Sequence, residues 1–268
     1  MAYQIHAAGF SCRGLVRAKN EDNLYFNGQY LPVYHEDSML FHCSLDARRE
    51  AIFAIFDGLG GEQAGEVASY LAAQKLAELF QQGLYETNEI SYIRELYRTL
   101  NRTVYNYARE HYFSSIGTTA AMLSVWRGRI YLSNLGDSRI FRFSKGTLQQ
   151  VSSDHVLIDS AFSRPPLTQF LGIPESEFCP APEIISEPFR KQTKYLLCSD
   201  GVTDLLSEPD IAEILSQGET LESSLLCIRD EVFLRGAIDN TTAILCEISA
   251  QEPQSLFQGL QLWRKKRI

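Results

Sequence analysis

No apolar run in this chain approaches the roughly 20 residues needed to cross a bilayer, and the opening stretch MAYQIHAAGFSCRG lacks a basic end followed by a long apolar core. Neither a spanning helix nor an export signal is legible, so a cytoplasmic location is expected. Cysteine is sparse: Cys12, Cys43, Cys179, Cys198, Cys227 and Cys246 stand singly. No two have the close spacing of a zinc knuckle or redox pair, and reduced, mostly buried thiols are expected. An excess of positive charge is also missing. The 33 acidic residues against 25 basic ones leave a formal charge of −8, which argues against a general nucleic-acid binder.

Linkers, repeats and low-complexity segments are absent as well. With 268 residues, 45% hydrophobic and 22% charged, the chain has the composition of an ordinary globular protein and a length that one core can serve. One domain over residues 1–250 is expected, followed by a basic tail over 251–268 that ends in WRKKRI. The tail reads as a solvated helix end rather than a membrane anchor.

Strand signals are strong at AIFAIF (51–56), TTAAMLSVW (118–126), RIYLSNL (129–135), RIFRFS (139–144), KYLLCS (194–199) and TTAILCEI (241–248). Gly, Asp or Asn bounds most of them. Apolar residues near helical spacing predict a helix between Gly61 and Gly83, and a second is expected from about Asn88 to His111. Ser207 with Asp210 predicts a capping box before IAEILSQ, and Thr220 predicts a cap for LESSLLCIRDEVFLR. Strands come in runs rather than in regular alternation with helices, which favours α+β with antiparallel sheets. Residues 27–50 read as a loop or irregular hairpin, and residues 152–190 as an irregular surface excursion.

The chemistry is carried by carboxylates that follow apolar strands. AIFAIF runs into Asp57-Gly58, YLLCS into Asp200-Gly201, LSNLG into Asp137, and Asp239-Asn240 stands directly before the last strand. Strand ends are rigid mounts, and glycine permits close approach of backbone or ligand. Converging carboxylates repel one another in a partly dry pocket, and a hard divalent cation removes the conflict. An all-oxygen set suits Mg²⁺ or Mn²⁺, while the lack of His and Cys at these positions argues against zinc or copper. A second cluster, Arg17-Ala-Lys-Asn-Glu21-Asp22, offers a guanidinium able to grip phosphate and two carboxylates able to hold water. Ser138 and Ser199 have no His partner in their motifs and read as structural hydroxyls. The cluster His35, Glu36, Asp37, His42 and Cys43 fits no metal template, and Asp154-His155 is equally a turn or a support for the site.

In order, Arg17 with Asn20-Glu21-Asp22, FDGLGG (56–61), GTT (117–119), LGDSR (135–139), CSDGVTD (198–204) and DNTT (239–242) resemble the metal-dependent protein phosphatases of the PPM, or type 2C, family. The His-free second motif resembles the bacterial form. The resemblance covers roughly residues 5–249 and implies a four-layer α/β/β/α sandwich with two central antiparallel sheets. It implies a cytoplasmic serine/threonine phosphatase that attacks phosphoserine or phosphothreonine with a water bridging two Mn²⁺ or Mg²⁺ ions. Its partners would be phosphoproteins, substrates of a Ser/Thr kinase in bacterial signalling. By the same resemblance Asp57 would bridge the metals, Gly58 would add its carbonyl, and Asp200 and Asp239 would bind one ion. Glu21 and Asp22 would act around the water, Arg17 would hold the phosphate, and Asp137 with Asp200 would form a third metal site.

Two departures stand out. Leu59 occupies the place where eukaryotic relatives often carry a His that can protonate the leaving group. The substrate-side flap, residues 152–172, looks shorter than is usual in bacterial members. Two other readings share the fold: a phosphomonoesterase for small metabolites, and a weakly catalytic regulatory module.

Overall fold

The apolar run AIFAIF is unbroken because strand β5 (Ala51–Phe56) is covered on both faces. Ile52, Ala54 and Phe56 pack toward helices, whereas Phe53 and Ile55 pack toward a second sheet, as a period of two requires. The structure, a computed structural model, describes residues 3–59, 64–83, 88–113, 116–157, 165–176 and 178–250. One sheet has the order β11 (Thr147–Gln150), β10 (Arg139–Ser144), β13 (Thr193–Cys198), β14 (Thr241–Ala250), β1 (Tyr3–Cys12), β4 (Phe41–Asp46). The other has the order β12 (Glu183–Pro188), β9 (Arg129–Leu135), β8 (Ala120–Trp126), β5, β2 (Asn23–Phe26), β3 (Gln29–Tyr30). A short third pair joins β6 (Gly58–Leu59) to β7 (Gly117–Thr118). Among the described residues every strand pairing in the two large sheets is antiparallel.

Three apolar layers hold these sheets in a sandwich. Between the sheets lie Ile5, Phe53, Ile55, Leu123, Ile244 and Cys246. Outside the β5 sheet pack α1 (Gly65–Gln82) and α2 (Glu89–Glu110), which contribute Ala68, Leu76, Tyr97 and Leu100. Outside the β14 sheet pack α3 (Asp200–Thr203), α4 (Glu208–Gln217) and α5 (Leu221–Leu234), with Val202, Ile211, Leu225 and Ile228 buried. Each buried Leu, Ile or Phe stabilises the fold by about 1.5–3 kcal/mol. The four-layer α/β/β/α arrangement is therefore as expected, the predicted capping box forms at Ser207, and the predicted cap at Thr220 forms as a capping box with Ser223.

Residues 27–50, read as a loop or irregular hairpin, contain β3, which closes a hairpin with β2, and the strand β4; residues 152–190, read as irregular, contain β12. The large-sheet strands β4 and β12 sit at edges, where β1 and β9 supply the pairing; β4 alternates, with Phe41, Cys43 and Leu45 against the inter-sheet core, whereas β12 shows no clear alternation and its pairing decides. Cysteine also departs from expectation. Cys12, Cys198 and Cys246 are buried and Cys43 partly so, but Cys179 and Cys227 are exposed; all six are free thiols. The basic tail over 251–268 and the flap tip over 158–164 lie outside the described residues. Among the described residues no helix is long and apolar enough to cross a membrane.

Candidate functional site

Antiparallel pairing explains why acids scattered along the chain meet. Cys198, at the end of β13, pairs with Arg139 at the start of β10 and with Ala243 near the start of β14, and Thr241 pairs with Cys12 at the end of β1. In the facing sheet Phe56 pairs with Asn23, and Leu135 with Ala120. The segments bearing Arg17, Asp57, Asp137, Asp200 and Asp239 thus leave from one end of the sandwich. They line a cavity of about 330 Å³ together with Glu21, Gly58, Leu59, Pro165, Pro166, Leu167 and Asn240. A larger groove of about 580 Å³, between the end of β1 and α5, holds Asp37, Arg229 and Asp230 but lacks this concentration of carboxylates.

The backbone of Asp57 is held by three bonds. Its N–H donates to Thr119 Oγ1 (3.1 Å), and its carbonyl accepts from Thr119 N–H (2.9 Å) and Thr118 Oγ1 (2.9 Å). Thr119 Oγ1 also lies 2.6 Å from Ser138 Oγ, with both hydroxyls buried. One pair of hydroxyls therefore links the mount of Asp57 to that of Asp137. At the preceding turn Gly136 has φ +111°, and a Cβ there would stand 2.6 Å from Thr119 Cγ2, so both conformation and space require glycine. A Cβ on Gly58 would stand 2.3 Å from the Glu21 carbonyl, which places the two segments in direct contact.

Asn240 joins the segment preceding β2 to β14. Its Nδ2 donates to the carbonyls of Arg13 (2.9 Å) and Lys19 (2.8 Å), and its Oδ1 accepts from Glu21 N–H (2.8 Å). Its neighbour Asp239 accepts from Asn240 N–H through Oδ1 (2.8 Å) and from Arg17 Nη2 through Oδ2 (2.6 Å). Arg17, expected to face phosphate, is thus paired to an expected metal ligand. Its side chain remains 44% exposed at the cavity, within reach of an entering anion.

Asp22 does not line the cavity. It is buried, and its Oδ2 lies 2.8 Å from the donating Ser199 Oγ and 2.7 Å from Thr242 Oγ1. Burial pushes its pKa up to about 7 against the opposing pull of those hydroxyls. Asp22, expected to act around the water, stands behind the cavity wall, where it ties Ser199, just past the end of β13, to Thr242 in β14. Glu21 does reach the cavity, and burial followed by the charge of Glu66 raises its pKa, against Arg17 and Lys19. Glu66, at the start of α1, is buried and bonds Lys19 Nζ through Oε1 at 2.6 Å. Its Oε2 has no hydrogen-bond partner among the described residues.

Five carboxylates with a backbone carbonyl make a hard, all-oxygen donor set, which fits Mg²⁺ or Mn²⁺. Burial first, and then the nearby charges of Glu66 and Asp239, raise the pKa of the Glu21 carboxylate. Among the described residues no three His, Cys, Asp or Glu are already gathered tightly enough to hold an ion. The donors stand around a cavity rather than in a closed shell. His35, Glu36, Asp37, His42 and Cys43 form no such cluster either. Glu66 stands in none of the sequence motifs, Pro165 and Pro166 are visible in the sequence only as part of the flap, and Thr119 and Asn240 stand in motifs that assign them no role. The GTT and DNTT motifs contain those last two, but only their bonds reveal their work.

A family model described as "Protein phosphatase 2C" matches residues 34–224. The serine/threonine phosphatase stp of Listeria monocytogenes is 26% identical over 260 residues, covering 91% of this chain and 96% of that protein. The serine/threonine protein phosphatase PstP of Mycobacterium tuberculosis is 29% identical over 262 residues, covering 90% of this chain and 44% of that one. Among solved structures, the PstP catalytic domain in complex with two manganese ions superposes with a TM-score of 0.72 at 25% identity, covering 92% of this chain and all of that one. A bacterial serine phosphatase superposes with a TM-score of 0.75 at 24% identity, covering 92% and 99% of the two chains.

Proposed function

The chain belongs to the protein phosphatase 2C family, and on that premise we propose that it is a metal-dependent serine/threonine protein phosphatase centred on the cavity of Arg17, Glu21, Asp57, Asp137, Asp200 and Asp239. The observation that carries this reading is the meeting of those six side chains at one end of the sandwich. Asp57 and the Gly58 carbonyl, with Asp200 and Asp239, would hold two Mn²⁺ or Mg²⁺ ions, and Asp137 with Asp200 a third. Such ions supply charge neutralisation for phosphate oxygens and a nucleophilic water near neutral pH.

The chain's own groups do the rest. Arg17 exchanges its bond to Asp239 for the oxygens of the substrate phosphate and orients phosphorus toward the carboxylates. Glu21, on the cavity wall, orients the attacking water and accepts its proton at the carboxylate. Asp22, Ser199 and Thr242 hold the floor beneath it and touch no substrate. Leu59 has no proton to give, so the departing oxygen depends on its own basicity. Substrates are phosphoserine and phosphothreonine proteins, the class named for the Listeria and Mycobacterium relatives, and a Ser/Thr kinase would generate them. Residues 1–250 form the phosphatase domain and 251–268 a basic tail.

The deciding experiment is hydrolysis of an aryl phosphate by the purified protein with and without Mn²⁺, beside a phosphothreonine peptide. Mn²⁺-dependent turnover of both is expected. Turnover of the aryl ester but not of the peptide would replace the protein substrate by a small metabolite. No turnover of either at saturating Mn²⁺ would leave a regulatory module.

A further inference from the structure

The dipeptide Asp154-His155 has no part in the reaction above, yet it grips both sides of Asp137. His155 N–H donates to the Gly136 carbonyl (3.0 Å), and Gly136 N–H donates to His155 Nδ1 (3.1 Å). In this bond Nδ1 is the acceptor, so the ring faces Gly136 with Nδ1 rather than Nε2. On the other side of Asp137, Arg139 clasps Asp154 with Nε at 3.2 and 2.9 Å from its two oxygens and Nη2 at 2.7 Å. Gln150 Nε2 adds a bond at 2.8 Å. The Asp154 side chain is only 18% exposed, so this forked pair is better shielded than an open surface pair.

The same dipeptide begins the base of the flap. The His155 carbonyl accepts from Thr168 N–H (2.8 Å), the Pro166 carbonyl accepts from Leu157 N–H (2.9 Å), and Val156 bridges to Leu167. Residues 155–157 and 166–168 are therefore a two-stranded clip. Pro166 and Leu167 in that clip, with Pro165 beside it, line the same cavity as Asp137.

We propose that Asp154 and His155 are positioning residues that lock the flap base to the loop carrying Asp137, so that carboxylate and cavity wall keep one fixed relation. The proposal rests on the reading of this cavity as the phosphatase centre. Its physical content is that Asp137 is bracketed: the residue before it is tied to His155, and the second residue after it to Asp154. Loosening either tie frees the carboxylate and the wall together. Positioning of this kind commonly governs about 10- to 100-fold in metal affinity or activity.

Three variants of the full chain separate the roles of the ring. In His155→Asn, the amide oxygen stands near the place of Nδ1 and can accept from Gly136. In His155→Gln it stands near the place of Nε2 and cannot. His155→Leu has no acceptor. Two readouts are taken: the Mn²⁺ concentration dependence of aryl-phosphate kcat and KM, and amide hydrogen exchange at Gly136, Leu157 and Thr168. Gln and Leu should require about 10- to 100-fold more Mn²⁺ or lose that much kcat/KM, and the three amides should lose protection together while β5 and β8 keep theirs. Asn should lie nearer wild type in both readouts.

The proposal is overturned if Leu keeps wild-type Mn²⁺ dependence and exchange, if Asn is no better than Gln, or if protection falls uniformly over the chain. Should Leu not fold, the comparison of Asn with Gln decides alone, since both keep a polar amide. A wild-type protein inactive on both aryl phosphate and the phosphothreonine peptide with Mn²⁺ would refute the functional reading, while the exchange comparison would still judge the clip.

Discussion

Replacing Ser199 by Ala tests whether this hydroxyl is structural or nucleophilic, because the two roles predict opposite outcomes. Ser199 Oγ donates to Asp22 Oδ2 at 2.8 Å and accepts from Thr242 N–H at 3.0 Å, and all three residues are buried. Its removal takes a bond to a charged acceptor, worth about 1.5–3 kcal/mol, and strands a backbone N–H at about 1–3 kcal/mol. Relaxation offsets part of this, and a loss of about 3 kcal/mol is expected. For a chain of this size that corresponds to roughly 6–12 °C in Tm.

The loss should also depend on pH. The pKa of Asp22 in the fold is about 7 against an ordinary 3.8, so the folded state holds a proton that the unfolded chain releases between those values. Its contribution to stability is fully present below about pH 4 and is lost as pH rises through about 7. Ser199 favours the ionised form, so its deletion raises that pKa further. Ser199→Ala should therefore cost more at pH 8 than at pH 5. Thermal unfolding of chelator-treated protein at both pH values, with aryl-phosphate turnover at saturating Mn²⁺ and low temperature, reads both effects. A wild-type Tm with abolished turnover would refute the structural role and restore Ser199 as a candidate nucleophile.

Asp57→Asn, Asp200→Asn and Asp239→Asn should each lose most Mn²⁺-dependent turnover while remaining folded; near wild-type rates at limiting and saturating Mn²⁺ would remove that residue from the ligand set. Arg17→Ala should raise KM for aryl phosphate clearly more than it changes Mn²⁺ affinity, and because Arg17 also bonds Asp239, an effect on Mn²⁺ alone would recast it as an organiser of that carboxylate. With Leu59 in the cavity wall, rates across a phosphate-ester series should rise as the leaving group becomes more acidic; a flat series, with chemistry shown to limit, would mean that another group donates the proton. Ser138→Ala should cost about 1 kcal/mol by removing its bond to Thr119, measured by urea unfolding, and a neutral result would exclude a bracing role for that hydroxyl.

The apolar runs at 51–56 and 243–246 were legible because these stretches are buried on both faces, which disfavours polar residues on either side. Helix ends at Asn88, Ser207 and Thr220 were legible for a local reason: each cap bonds a backbone group three residues away. The carboxylates after strands were visible as suitable mounts, and the order of the motifs named their family. Strand β12 was not legible, since EIISEP lacks alternation and is specified by the neighbour that pairs with it; the alternation of FHCSLD in β4 is local, but six residues inside a loop-like stretch did not separate it from an irregular hairpin. The tertiary structure alone decided that Asp22 is buried against Ser199 and Thr242 rather than facing the cavity, and that Arg17 bonds Asp239. Those partners lie about 180 to 220 residues apart in the chain, and no local pattern encodes which strand end a carboxylate will meet. Sheet register settles it, because register fixes which ends share one side of the sandwich and how deeply each side chain sits beneath its neighbours.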